Sequence, residues 1–146
     1  MINNITELIN MLCVKDNNTA YTAMKTLQNE SNENNSVYSY MDKFADMMED
    51  DNSYIRTRGL VLFASNAKWD VDNKIDEYID RYLKHIVDKK PITSRQCIKM
   101  LPVIAKYKSE LKTDIITALK KADISIYADS MQPLVYKDIQ EALANI

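Results

Sequence analysis

Apolar residues recur along this chain at three- and four-residue intervals, in short blocks separated by polar turns, which is the pattern of amphipathic helices. Ile5, Leu8, Ile9 and Leu12 make a first stripe, and Ala20, Ala23, Met24 and Leu27 a second. After the polar stretch NESNENNS (29–36), Val37, Tyr40, Met41, Phe44, Ala45 and Met48 make a third. A fourth helix, capped by Ser53, runs to about Lys68. Asn73 starts a fifth, striped by Ile75, Tyr78, Ile79, Tyr82, Leu83 and Ile86. Thr93 and Gln96 have the spacing of a capping box and open a sixth, which contains Pro102 and should kink there. Ser109 caps a seventh with Ile115, Ile116 and Leu119, and Ser130 an eighth with Leu134, Val135, Ile139 and Leu143. Eight helices form four antiparallel pairs.

The pairs resemble one another. Asp51, Ile55, Arg58 and Phe63 map onto Asp88, Ile92, Arg95 and Met100 at a spacing of 37, and Met41, Ala45 and Met48 map onto Ile79, Leu83 and Ile86 at 38. A period of this size belongs to stacked helical hairpins. Composition agrees: one Gly and three Pro in 146 residues, with no Asn-Gly or Asp-Gly, leave a strand-rich fold without its turns. The expectation is one all-α domain over residues 1–146.

The segment MEDDNSYIRTRGLVLFASNA (48–67) resembles a HEAT repeat, in which a turn Asp precedes a β-branched residue and an Arg of the second helix; Asp51, Ile55 and Arg56 occupy those places. The following unit, VDKKPITSRQCIKMLPVIA (87–105), keeps Asp88 and Ile92, with Thr93 in the Arg position and Arg95 nearby. The resemblance implies a right-handed α-α superhelix, a small bacterial solenoid of about four HEAT-like hairpins. Its second helices then line up on one concave face. Within the fourth helix, Gly59 is expected to admit close approach of a neighbouring helix.

On that face the spacing of 37 sets the stripe Arg58, Leu62, Ser65, Trp69 beside Arg95, Lys99, Pro102, Lys106. Arg58, Arg95, Lys99 and Lys106 would make a basic ridge with Trp69 at one end, and these five are the candidate partner-binding residues. Charge is divided to match. Residues 1–51 carry three Lys and nine Asp/Glu, net −6, and residues 52–146 carry sixteen Lys/Arg and twelve Asp/Glu, net +4.

Chemistry narrows the function further. One glycine excludes phosphate-binding glycine loops, and the single histidine, His85, has no nucleophile in a recognisable motif around it. DVDNKIDEYIDR (70–81) fails as a calcium loop because Lys74, Ile75 and Arg81 stand at ligand or turn positions. No catalytic residue, metal or cofactor is therefore expected. The expected function is a non-enzymatic interaction module that binds an acidic protein or peptide. The resemblance also implies an alternative, nucleic-acid binding like that of HEAT-like alkylpurine DNA glycosylases, although the pI of about 5.4 is low for it. Cys13 and Cys97 are expected as buried thiols, the location as cytoplasmic without membrane association, and the state as a monomer or weak homodimer through the apolar stripe Ile2, Ile5, Ile9 and Leu12.

Overall fold

The computed structural model describes residues 4–146, and among them the chain forms eight α-helices and no β-strand. The helices are α1 (Ile5–Met11), α2 (Asn17–Glu33), α3 (Met41–Met47), α4 (Ser53–Ser65), α5 (Lys74–Leu83), α6 (Pro91–Tyr107), α7 (Lys112–Lys121) and α8 (Gln132–Ala144). Each lies where the apolar stripes placed it. Short 3-10 turns extend several ends, among them Ala67–Trp69 after α4 and Lys84–Val87 after α5. No helix is long and apolar enough to cross a membrane.

Within each consecutive pair the helices touch, and the even-numbered helices also pack in a row: α2 on α4, α4 on α6, α6 on α8. Hydrogen bonds give the lateral register. Gln28 Nε2 donates to Ser65 Oγ at 3.3 Å, and the hydroxyls of Thr57 and Thr93 meet at 2.9 Å, so residues 37 and 36 apart are neighbours. The central helix α4 is enclosed nearly all round, every residue from Arg58 to Ser65 being buried. Gly59 marks its closest approach: a Cβ there would lie 2.7 Å from Met47 Cβ and 2.8 Å from Phe44 O.

Several helix starts differ from expectation. Asn52, not Ser53, caps α4, its Oδ1 accepting from the Tyr54 amide at 2.8 Å. Pro91 opens α6 at a position where a missing N–H costs little, so the proposed Thr93–Gln96 box falls inside the helix. Thr93 is buried there against Thr57. Asn73 precedes α5 in the left-handed conformation (φ 56°), and Asp70 does the capping, its two oxygens accepting from the Lys74 and Ile75 amides. Ser109 and Ser130 make no side-chain cap. Ile9 and Leu12 belong to the core, Ile5 packs partly buried against it, and Ile2 lies outside the described residues, so the described part of that stripe is spent on α2 rather than left for a second copy. Cys97 is buried as expected, and burial raises its thiol pKa well above the ordinary value; Cys13 is exposed, because it follows the last buried residue of the α1 stripe.

Two buried carboxylates tie the turns together. Asp88 accepts both prongs of the Arg56 guanidinium, at 3.0 Å from Nε and 2.7 Å from Nη2, while Arg56 Nη1 also donates to the carbonyls of Asp50 and Asp51. The same carboxylate meets His85 Nδ1 at 2.7 Å and accepts from the Lys90 amide, and Tyr127 donates its hydroxyl to the Asp88 carbonyl. At the opposite ends of the helices, Asp70 accepts from Tyr38 Oη and the α5 amides, and Lys108 Nζ lies 3.0 Å from it and 2.7 Å from Asp76. Burial and the Asp70 bond raise the Tyr38 phenol to about 12.

Burial opposes ionisation of Asp88, but the hydrogen bonds from His85 and Arg56 outweigh it and hold the carboxyl well below the usual range. A depressed folded-state pKa gives stability that is complete above the unfolded value of about 4 and is lost as pH falls through the folded value. Urea midpoints should thus fall steadily below about pH 4 in the native chain, and the slope should be shallower in Asp88→Asn. At pH 7, Arg56→Met should cost about 3–5 kcal/mol by leaving the Asp88 carboxylate buried without its cation; a loss under about 1 kcal/mol would show the pair to be solvated. Gly59→Ala should also destabilise, because crowding against the Phe44 carbonyl, about 1–3 kcal/mol, outweighs about 1 kcal/mol of helix propensity. A raised melting temperature in that variant would contradict the packing.

Candidate interaction groove

The even-numbered helices enclose a groove of about 440 Å³. From α2 it is lined by Asn17, Asn18, Tyr21, Met24, Lys25 and Gln28. Tyr54, Thr57, Arg58 and Val61 of α4 form its middle, and Ile92, Gln96 and Met100 of α6 its far wall. The spacing of 37 recurs in this lining, in Asn17 and Tyr54, Tyr21 and Arg58, Met24 and Val61. Three large side chains stand on the rim in contact with solvent, Tyr21 at 55%, Tyr54 at 59% and Ile92 at 66% exposure. The lining contains two cations, Lys25 and Arg58, and no carboxylate.

Arg58 sits in this groove but not as a free ridge residue. It is 4% exposed, donating from Nη1 to the Leu12 carbonyl at 2.9 Å and from Nη2 to Asn17 Oδ1 at 3.0 Å. The first bond satisfies a terminal carbonyl of α1, and the second holds the start of α2. Burial lowers its pKa, the direction expected of a guanidinium removed from water without a carboxylate beside it. No ion pair joins it to Asp or Glu among the described residues.

The remaining ridge residues separate. Arg95 turns to the other neighbour of α6, its Nε donating to the buried Asp138 of α8 at 2.6 Å, and that bond raises its pKa. Trp69 is half-buried, its indole N–H donating to the Ser31 carbonyl at 2.7 Å, and the Lys68 ammonium lies 4.9 Å from its ring while bonding the Asn32 carbonyl. Together they close the C-terminal end of α2, whose last carbonyls have no partners within the helix. Lys99 is exposed on α6, and Lys106 borders a separate hollow of about 450 Å³ with Pro102, Lys112 and Ile146. The continuous basic ridge is therefore corrected to a groove with one buried cation, because Arg58 and Arg95 reach backbone and carboxylate partners 46 and 43 residues away.

A third hollow, of about 300 Å³, lies over Arg56, His85 and Asp88. His85 Nδ1 is held by Asp88, with Glu49 3.8 Å from Nε2, and no hydroxyl or thiol bonds its ring among the described residues. No cluster of three or more metal-ligating side chains occurs among them.

Sequence reading missed Tyr21, Tyr54 and Ile92. Ile92 matches Ile55 in the 37-residue spacing, but Ile55 is partly buried and Ile92 is exposed, while Tyr21 and Tyr54 fall outside their helices' own stripes. An apolar residue off the buried stripe near the start of each even-numbered helix is the signal that marks them.

Arg58→Met should leave the Leu12 carbonyl and Asn17 without their donor and free the α1–α2 corner, at about 1–3 kcal/mol. Hydrogen exchange checks it: amides of α1 should lose protection while those of α4 and α6 keep theirs, and uniform loss would make Arg58 a global core residue. Comparison with protein-family models, with curated proteins and with solved structures finds no match for this chain.

Proposed function

We propose that this protein is a non-enzymatic interaction module, a right-handed α-solenoid of four HEAT-like hairpins whose even-helix face binds a peptide segment of an acidic partner protein. The observation that carries the reading is the groove across α2, α4 and α6, with Tyr21, Tyr54 and Ile92 exposed on its rim and no carboxylate in its lining. Exposed aromatic and aliphatic side chains around a concavity offer apolar contact area at low entropic cost. A lining with cations and no anions favours a segment carrying Asp or Glu. The row of contacts α2–α4–α6–α8 and the lateral register of 36 and 37 residues support the solenoid.

A duplex would need a run of exposed cations along one face to meet successive phosphates, whereas Arg58 is buried, Arg95 is paired with Asp138, and Lys106 lies at a separate hollow. Peptide binding is therefore the better-supported reading, and selection from a random dodecapeptide library on phage tests it. The native chain should enrich sequences that pair an aromatic or branched aliphatic residue with Asp or Glu, and Ile92→Glu should lose them at least about tenfold. Equal recovery on Ile92→Glu, or no enrichment over a blank surface, would remove the groove as the binding site.

A further inference from the structure

We infer that Arg58 is the anion-recognition centre of this groove, taking a carboxylate of the bound peptide in place of the Asn17 side chain. The inference rests on the peptide-binding reading and adds to it the chemical group that anchors the ligand.

The argument begins with an imbalance. A guanidinium 96% withdrawn from water ordinarily has a carboxylate partner, because neutral acceptors return only part of the lost hydration. The chain meets that requirement at its other buried arginine, Arg56, which is paired with Asp88, and even the partly exposed Arg95 has a carboxylate in Asp138. Arg58, 4% exposed, has only an amide oxygen and a main-chain carbonyl. Both are neutral.

Its surroundings add to the imbalance. Asn17 and Asn18, Tyr54 and Ile92 belong to the first turns of α2, α4 and α6, so first turns of three helices border the groove that Arg58 lines. The starts of α2 and α4 are already capped, by the Asp16 carboxylate and the Asn52 amide oxygen, and the start of α6 is the one without a side-chain cap. At α6 the cap residue is Lys90 and makes no side-chain bond to the first turn. The buried guanidinium and the uncapped start of α6 are separate observations, and both favour a negative ligand group.

Asn17 is the replaceable partner. Its side chain lines the groove, its residue is exposed, and its Oδ1 is 3.0 Å from Nη2. A carboxylate oxygen arriving at that position would exchange a neutral hydrogen bond for a charge-assisted one without moving Arg58 from Leu12. An apolar side chain of the same peptide then lies against Ile92 and Tyr54. A side-chain carboxylate and a free C-terminus offer the same chemistry.

Three small probes separate these sources: N-acetyl-leucyl-glutamate amide, N-acetyl-leucyl-glutamine with a free C-terminus, and N-acetyl-leucyl-glutamine amide, which has no charge. Each is titrated into the native chain while the Arg58 Nε–H and Ile92 methyl resonances are followed by NMR. The expected result is a shift at both resonances with at least one charged probe, bound about tenfold more tightly than the neutral one. Asn17→Asp places an isosteric carboxylate against Nη2 within the chain. It should raise the urea midpoint more than Asn18→Asp, which gives the same helix-dipole gain, and it should abolish the preference for the charged probes.

Equal shifts of Ile92 by all three probes with Arg58 silent would overturn the anion centre while leaving the groove as a peptide site. Silence of Arg58 toward both carboxylates up to about 50 mM would overturn it whatever the library selection returns. An Asn17→Asp chain that keeps the charged-probe preference would also overturn it.

Discussion

The fold depends on one buried ion pair, Arg56 with Asp88. Arg56 leaves α4 and meets three groups that no single helix contains: the carbonyls of Asp50 and Asp51 in its own entry turn and the carboxylate of the next turn. Asp88 then holds His85 and the Lys90 amide, and its carbonyl takes the Tyr127 hydroxyl from beyond α7. A pair of this kind adds little net stability over a well-packed apolar replacement, since desolvation offsets most of the attraction. Its contribution is register, because apolar helix faces tolerate small sliding and a buried bidentate pair has one satisfactory geometry.

The opposite ends of the helices have an equivalent in Asp70, with Lys108 as its cation. That carboxylate starts α5, receives Tyr38 from before α3, and ties down the last turn of α6 through Lys108. Both turn layers are thus fixed by carboxylates placed three or four residues before the helices they anchor or cap. With the two edges held, the outward surface of α2, α4 and α6 has little structural duty between them. Tyr21, Tyr54 and Ile92 are free to face solvent there because the core is already complete beneath them.

Much of this was legible in the chain because it is local or periodic. Helix positions follow from apolar spacing, the lateral register from a 37-residue repeat, and the role of Gly59 from its lack of a Cβ at a packed helix. Caps were less legible. Asn52 beside Ser53 and Asp70 three residues before Asn73 offer competing donors and acceptors, and only the backbone path decides between them. The partners of Arg58 and Arg95 were not legible at all, since they lie 46 and 43 residues away and depend on how the first and last hairpins pack. α4 adds a specific difficulty: it is buried on nearly every side, so its sequence has no polar stripe to identify a solvent face.

Arg58 shows where folding requirements stop explaining the residues. Its two hydrogen bonds go to neutral oxygens, and a glutamine amide could donate two similar bonds without the cost of withdrawing a charge from water. Corner-tying therefore accounts for a donor at this position and not for a cation. Arg56 and Arg95 present no such discrepancy, since each meets a carboxylate whose own burial requires a cation. The unmatched charge is physically economical only if a negative group reaches the groove from outside, and the lining, which holds no carboxylate of its own, leaves that place open to one.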